Sequence, residues 1–199
     1  ANKLNVKEGD RVLEIGSGWG SMAIHLAKEK KCKVTTVTLS EEQKRLCLDR
    51  FRENDVESMI DILLEDYRDL EGKYDAIIAV EMFEAVGKEY FEIFCRKFEK
   101  RLKPNVVLVL QVITMPDNGY KYYAKSTDLI QKCSFPGGHL PSVSKILEVT
   151  SNNTRFNLLN LEEFTEDYAK TLNVWFENFK EKINEVKKLG FDEYFIRMW

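Results

Sequence analysis

Glu14-Ile15-Gly16-Ser17-Gly18-Trp19-Gly20 is the stretch of this 199-residue chain whose residue types and spacing are best suited to chemistry. Gly16 and Gly18 let a backbone turn sharply and come close to a ligand, because no Cβ stands in the way. Ser17 and Gly20 complete the turn in a GxGxG spacing, whereas a dinucleotide turn usually reads GxGxxG. A carboxylate, Glu14, precedes the glycines, and the segment carries no phosphate clamp. This combination suits a ligand with amino and hydroxyl donors and no pyrophosphate, S-adenosylmethionine above all. A tight turn without a ligand is the competing reading, and the apparent strand before it and helix after it weigh against that.

Two further segments extend the same chemistry. A nucleoside site usually finds an acid at the end of the second strand, where it takes both ribose hydroxyls. Here that position reads Val37-Thr38-Leu39-Ser40-Glu41-Glu42-Gln43. Thr38 and Gln43 together can replace the acid with one hydroxyl and one amide, and Leu39 joins them as a cofactor-binding residue. Gln43 as the capping-box partner of Ser40 remains open beside this. Farther on, Asp66 can accept from an adenine amine and Tyr67 can cover its face, although a charged surface loop would look similar.

These residues need a scaffold that brings strand ends together, and the chain supplies one by alternation. Arg11 to Ile15, Val34 to Leu39, Ile60 to Leu64, Tyr74 to Val80 and Val106 to Ile113 read as strands, rich in β-branched and apolar residues. Helices are expected over Met22 to Lys30, from Ser40 to about Asn54, and over Tyr90 to Leu102. The pattern implies an α/β fold with a mostly parallel sheet, helices on both faces, and ligands at the carboxyl ends of the strands. Beyond Thr114 the pattern changes. Helices over Tyr120 to Lys132 and from Ser142 flank the turn Phe135-Pro136-Gly137-Gly138, and residues 114–150 read as a substrate-covering insertion. A strand near Phe156 to Leu161 and a long helix from Glu166 to Lys188 are expected to follow. One domain spans residues 1–199, expected to be truncated at both ends.

Composition bounds the partners. The chain is 44% hydrophobic and 32% charged, which suits a globular fold. A net charge of −3 argues against a nucleic-acid partner, and Lys28, Lys30, Lys31 and Lys33 read as a solvated helix end. Cys32, Cys47, Cys95 and Cys133 are widely spaced with no His beside them, so neither metal nor disulfides are expected and a reducing, cytoplasmic compartment is. No apolar run approaches the roughly 18 residues of a membrane span, which leaves peripheral membrane contact.

Taken together, the glycine turn, Val37 to Gln43, Asp66-Tyr67-Arg68-Asp69, Glu81-Met82-Phe83-Glu84-Ala85-Val86-Gly87, Phe135-Pro136-Gly137-Gly138-His139-Leu140-Pro141-Ser142 and Tyr168 to Trp175 resemble the cyclopropane fatty acyl phospholipid synthases and their acyl-chain methyltransferase relatives. Gln111 to Asp117 and Leu189 to Asp192 look most like the plant and actinobacterial branch. The resemblance implies a Rossmann-like class I methyltransferase. It implies methyl transfer from S-adenosylmethionine to the double bond of an unsaturated phospholipid acyl chain, followed by proton loss and closure to cyclopropane. In relatives the cation gives a methylene or methyl branch instead.

By the same resemblance Glu84 and Tyr168 match residues that hold a bicarbonate ion acting as base, with Ile113 contributing its backbone. Gln111 stands where many members carry His, and it can hydrogen-bond an anion without carrying a proton. Phe83, Tyr168 and Trp175 can face a cation with their rings, at about 0.5–2 kcal/mol each. Read without the family, Trp175 and Phe176 are core residues of the long helix and Glu84 is a helix-start carboxylate. His25 and His139 read as a helix-face and a loop residue. The alternatives are a small-molecule N-methyltransferase of the same fold and a non-catalytic binding module.

Overall fold

The computed structural model describes residues 1–198. The chain forms two compact units, one over Ala1–Asn157 and a second beginning at Leu158. The first unit is built on β1 (Arg11–Ile15), β2 (Lys33–Thr38), β3 (Ile60–Leu64), β4 (Tyr74–Val80) and β5 (Leu102–Gln111). All pairings are parallel, in the order β3-β2-β1-β4-β5. The chain winds outward from β1 to β3, then crosses back to place β4 on the other side of β1. Such a reversal leaves a crevice between the carboxyl ends of β1 and β4, the usual ligand position in open α/β sheets.

Helices α1 (Ser21–Lys30), α2 (Glu41–Glu53) and α3 (Phe91–Arg101) cover the sheet. Alternate residues of the central strands feed two cores. Val12 and Ile78 pack with Ala23, Leu26 and Phe51, while Leu13, Ile15 and Ile77 pack with Phe91, Phe94 and Phe98. Each buried phenylalanine contributes on the order of 1.5–3 kcal/mol. The continuous apolar run Ala76 to Ala79 is thus explained by burial on both faces.

Past β5 come α4 (Asp117–Tyr123), α5 (Leu129–Cys133) and α6 (Val143–Asn153). Helix α6 packs on α3 through Val149 and the Cys95–Thr150 contact. The second unit holds α7 (Thr165–Glu181), α8 (Ile183–Lys188) and α9 (Glu193–Met198).

Several elements depart from the sequence reading. Strand β5 begins at Leu102 and ends at Gln111, so Lys103-Pro104-Asn105 lies inside it. An edge strand tolerates Pro104, and the register slips where Tyr74 pairs Leu102 but Ala76 pairs Val107. The helix expected over Tyr120 to Lys132 is two helices. Asp128 starts the second with a complete capping box, its Oδ1 accepting from the Gln131 N–H at 2.8 Å while the Gln131 side chain accepts from the Asp128 N–H at 3.0 Å. At Ser40 the box is only half made. Its hydroxyl accepts from the Gln43 N–H, but the Gln43 side chain turns to Thr38. Residues 156–161 form no strand, because Phe156 N–H is taken locally by Thr154 Oγ1 and no sheet edge pairs with the segment. The long helix is interrupted at Lys182, whose N–H bonds back to Asn178 and Phe179 carbonyls as the last turn tightens.

Candidate active site

The glycine turn leaves β1 and enters α1, tied to β2 by the Ser17 N–H donating to the Val37 carbonyl at 2.8 Å. Its glycines do different work. Gly16 has φ +85°, and a Cβ there would sit 2.6 Å from Met82 Cγ, so side-chain packing from the end of β4 requires glycine. A Cβ on Gly20 would press to 2.8 Å on Phe51. Gly18 has φ +48° and would meet nothing within 4 Å, so its backbone faces open space. Close approach of a ligand therefore belongs to Gly18.

Beneath the turn, Glu14 is buried at 3% exposure, and burial pushes its carboxyl up to about 7, with Thr36 offsetting a part. Neither Glu14 Oε2 nor Thr36 Oγ1 has a hydrogen-bond partner of ordinary geometry. A buried carboxylate oxygen without a donor is costly, and a ligand's amino or hydroxyl groups would relieve it. At the tip of β2, Thr38 Oγ1 donates to Gln43 Oε1 at 2.6 Å and accepts from the Ser40 N–H at 3.1 Å. The pair foreseen to replace the ribose acid is therefore pre-joined, with Leu39 exposed beside it.

Asp66 and Tyr67 are engaged elsewhere. Asp66 takes the Arg68 guanidinium at 2.9 and 2.7 Å, which holds its carboxyl below the usual range. The Tyr67 ring packs on Phe94 and Phe98 at centroid distances of 5.4 and 5.8 Å, and burial raises its hydroxyl to about 12.

Across the crevice, the chain leaves β4 through Glu81-Met82-Phe83 into a short 3-10 turn, Glu84–Val86. Glu84 is buried; its Oε1 accepts from the Ile113 N–H at 3.1 Å, and its Oε2 has no partner. Burial raises its pKa, and the neighbouring charge of Glu81 adds to this. Gln111, at the end of β5, donates through Nε2 to Glu81 Oε1 at 3.2 Å. The Ile113 N–H thus serves Glu84 itself. Phe83 is fully buried with its ring stacked on Phe91 at 4.3 Å, which commits that face to packing.

The Phe135 to Pro141 segment returns to the same place. His139 N–H donates to the Glu84 carbonyl at 2.8 Å, and its ring is buried against Tyr120 and Tyr123, with Nε2 3.2 Å from the Tyr120 hydroxyl. His139 is therefore no ordinary loop residue, and burial together with nearby Lys88 lowers its pKa. His25 is exposed on α1 as foreseen. Glu81 and Met82 entered the sequence reading only as part of the Glu81 to Gly87 block, and Thr36, Tyr120 and Tyr123 were given no site role there. The acid next to Met82-Phe83-Glu84 was the available signal for Glu81 alone.

Tyr168 lies in α7 of the second unit. Trp175 and Phe176 on the same helix are about half exposed, at 48% and 53%, so they are not core residues. No helix among the described residues is long and apolar enough to cross a membrane.

The pattern of the family described as mycolic acid cyclopropane synthetase matches residues 1–199. The tuberculostearic acid methyltransferase of Mycobacterium tuberculosis is 38% identical over 194 residues, covering 98% of this chain and 45% of that protein. The cyclopropane-fatty-acyl-phospholipid synthase of Escherichia coli K12 is 36% identical over 202 residues, covering 99% of this chain and 49% of that protein. The chain thus spans about half the length of these curated relatives. Among solved structures, the cyclopropane synthase MmaA2 from Mycobacterium tuberculosis superimposes with a TM-score of 0.88 at 25% identity, over 98% of this chain and 72% of that one.

Proposed function

Because this chain belongs to the mycolic acid cyclopropane synthetase family, we propose that it carries the site at which S-adenosylmethionine methylates the double bond of an unsaturated phospholipid acyl chain, with closure to cyclopropane. The observation that carries this reading is the meeting of two unlike halves at one crevice. One half is an open glycine turn, with Gly18 free of side-chain contacts, beside the buried carboxylate of Glu14, one of whose oxygens lacks a hydrogen-bond partner. The other is a carboxylate pair, Glu81 and Glu84, in the segment that follows β4, held by Gln111 and Ile113 from the end of β5.

When bound, S-adenosylmethionine supplies an already activated methyl group. The chain's residues then have three tasks. Glu14 and the Thr38–Gln43 pair fix the donor, and Gly18 lets it lie against the main chain. The second task is to keep water from the reacting carbons. The carboxylates face the positive charge that develops on the acyl chain. We place residues 114–150 over the substrate, and Tyr168 and peripheral membrane contact in the whole protein's handling of the lipid. A cytoplasmic setting suits the free thiols of Cys32, Cys47, Cys95 and Cys133.

The deciding experiment incubates the full-length protein with vesicles of monounsaturated phospholipid and isotopically labelled S-adenosylmethionine. One labelled carbon per double bond in the acyl chain is the expected result. Label on an amine, with none on the acyl chain, would favour an N-methyltransferase instead.

Glu14 gives a second, independent expectation. Its carboxyl titrates near 7 in the free protein, above its ordinary 4.5, so at lower pH it is protonated and presents a poorer acceptor. Cofactor donors favour the ionised form. Affinity for S-adenosylmethionine is therefore expected to rise from pH 5.5 to 8, with a proton released on binding near pH 6.5. Calorimetry in buffers of different ionisation enthalpy reads both. The sign for stability is opposite. With the folded value above the unfolded one, the protein without ligand loses stability as pH climbs from about 4.5 toward about 7.

A further inference from the structure

Residues 117–138, from the start of α4 through the glycine turn, present two unlike sides. The inner side is tied down by polar contacts. Tyr123 is buried, and its hydroxyl accepts from the Leu140 N–H at 3.2 Å. Gln131 Nε2 donates to the Gly138 carbonyl at 2.9 Å. The turn is pressed onto Gly87, where an added Cβ would meet the Gly137 carbonyl oxygen at 2.9 Å. His139, the next residue, bonds through its N–H to the Glu84 carbonyl. The segment is therefore fixed beside the crevice rather than hung loosely over it.

The outer side is apolar where it should be polar. Leu129, Ile130 and Phe135 are 71%, 58% and 66% exposed. They belong to one bend of the chain, since the Phe135 N–H donates to the Ile130 carbonyl at 2.9 Å. Single exposed apolar residues are ordinary, but three large ones gathered in one bend mark a surface that meets another phase or partner.

Charge says which partner. Lys121, Lys125 and Lys132 are exposed in the same stretch. Its two acids are turned to backbone donors, Asp117 accepting from the Ser144 N–H at 3.1 Å and Asp128 from the Gln131 N–H at 2.8 Å. The chain as a whole carries 33 acidic against 30 basic residues, so this stretch runs against the balance of the molecule. Leucine, isoleucine and phenylalanine between lysines suit the boundary of an anionic bilayer. The apolar groups enter the acyl region while the long lysine stems reach back to phosphates. A second copy of the chain fits less well, because a symmetric contact would set lysines against lysines.

We propose that this outer side is a docking face for the surface of an anionic phospholipid bilayer, with Leu129, Ile130 and Phe135 inserted and Lys125 and Lys132 at the headgroups. The choice of a bilayer rests on the acyl-chain methylation proposed above. An acyl chain drawn out of a bilayer exposes apolar area to water, and docking beside the crevice shortens that exposure.

The test uses the full-length protein and sedimentation with vesicles of unsaturated phosphatidylglycerol. Wild type is expected to bind, and more weakly as salt is raised. Leu129→Glu combined with Phe135→Glu is expected to bind at least about 10-fold more weakly, with wild-type melting and affinity for S-adenosylmethionine. Lys125→Glu combined with Lys132→Glu is expected to lose about 10-fold or more on phosphatidylglycerol and far less on phosphatidylcholine. Binding to phosphatidylglycerol within about threefold of wild type in either double variant would overturn the proposal. Amide hydrogen exchange of the wild type supplies an arm that depends on no variant. Exchange over residues 122–137 is expected to slow when vesicles are added. Unchanged exchange there, as when another part of the protein or a second copy already covers the segment, would overturn the proposal too. Labelled S-adenosylmethionine in the same mixtures keeps the two readings apart. Wild type that docks through this segment but labels no acyl carbon would remove the methylation reading and leave the docking face. Wild type that labels the chain while the segment gains no protection removes the docking face alone.

Discussion

Gly18→Val is expected to lower affinity for S-adenosylmethionine by at least about 100-fold, or about 3 kcal/mol, while leaving the protein folded. The argument turns on what a side chain meets at each glycine of the turn. At Gly18 a Cβ would contact no protein atom within 4 Å, so the substitution displaces nothing in the core. It fills the open side of the turn, where the ligand must lie against the backbone. Valine also resists φ +48°, and the left-handed conformation costs roughly 1–2 kcal/mol. A lowered melting temperature of that size is expected, without loss of cooperative unfolding. Gly16→Val serves as the contrast. Its Cβ would lie 2.6 Å from Met82 Cγ, so the Met82 side chain must give way and a larger loss of stability is expected. Calorimetry and thermal melting on both variants separate the two effects. Normal cofactor affinity in Gly18→Val would show that the donor does not approach this turn.

The division of labour among those glycines was not legible in the sequence, and the reason is general. Local patterns carried the strands and the turn. β-branched and apolar runs located β1, β3 and β4 at their observed bounds, and the glycine spacing located the bend that follows β1. Contacts across the sheet carry no local mark. Nothing near Gly16 announces Met82, and nothing near Gln111 announces an acid 30 residues earlier in the chain. The same limit explains Tyr67, which reads as a possible cover for a base until α3 brings Phe94 and Phe98 against its ring. It also explains Phe156 to Leu161, whose apolar pattern suits a strand but has no sheet edge to join. His139 was obscured in a different way. A glycine-rich turn suggests a surface loop, yet this one folds back so that His139 clamps the Glu84 carbonyl and sits among tyrosines.

Glu84→Gln is expected to leave affinity for S-adenosylmethionine within about twofold of wild type and to lower kcat by about 100-fold. The substitution keeps shape and at least one hydrogen bond, since a glutamine oxygen can still accept from the Ile113 N–H. If it does, its NH₂ group takes the place of Oε2, the oxygen that has no partner in the protein. On the proposed reading, a negative charge beside the reacting carbons is thereby exchanged for the positive end of a dipole. That exchange disfavours a developing carbocation, and it acts in a site screened from water, where charges count most. On the proposed reading cofactor binding draws on Glu14, Gly18 and Thr38 instead, so it should be spared. The pH profile supplies the discriminating readout. Burial and the neighbouring Glu81 raise the Glu84 pKa, so wild-type turnover should fall as pH drops through that raised value. Removing the ionisable group should flatten this limb in the variant, whereas a purely structural role would lower the rate equally at every pH. Turnover equal to wild type across the profile would remove Glu84 from the chemistry and leave it as the buried anchor of Ile113.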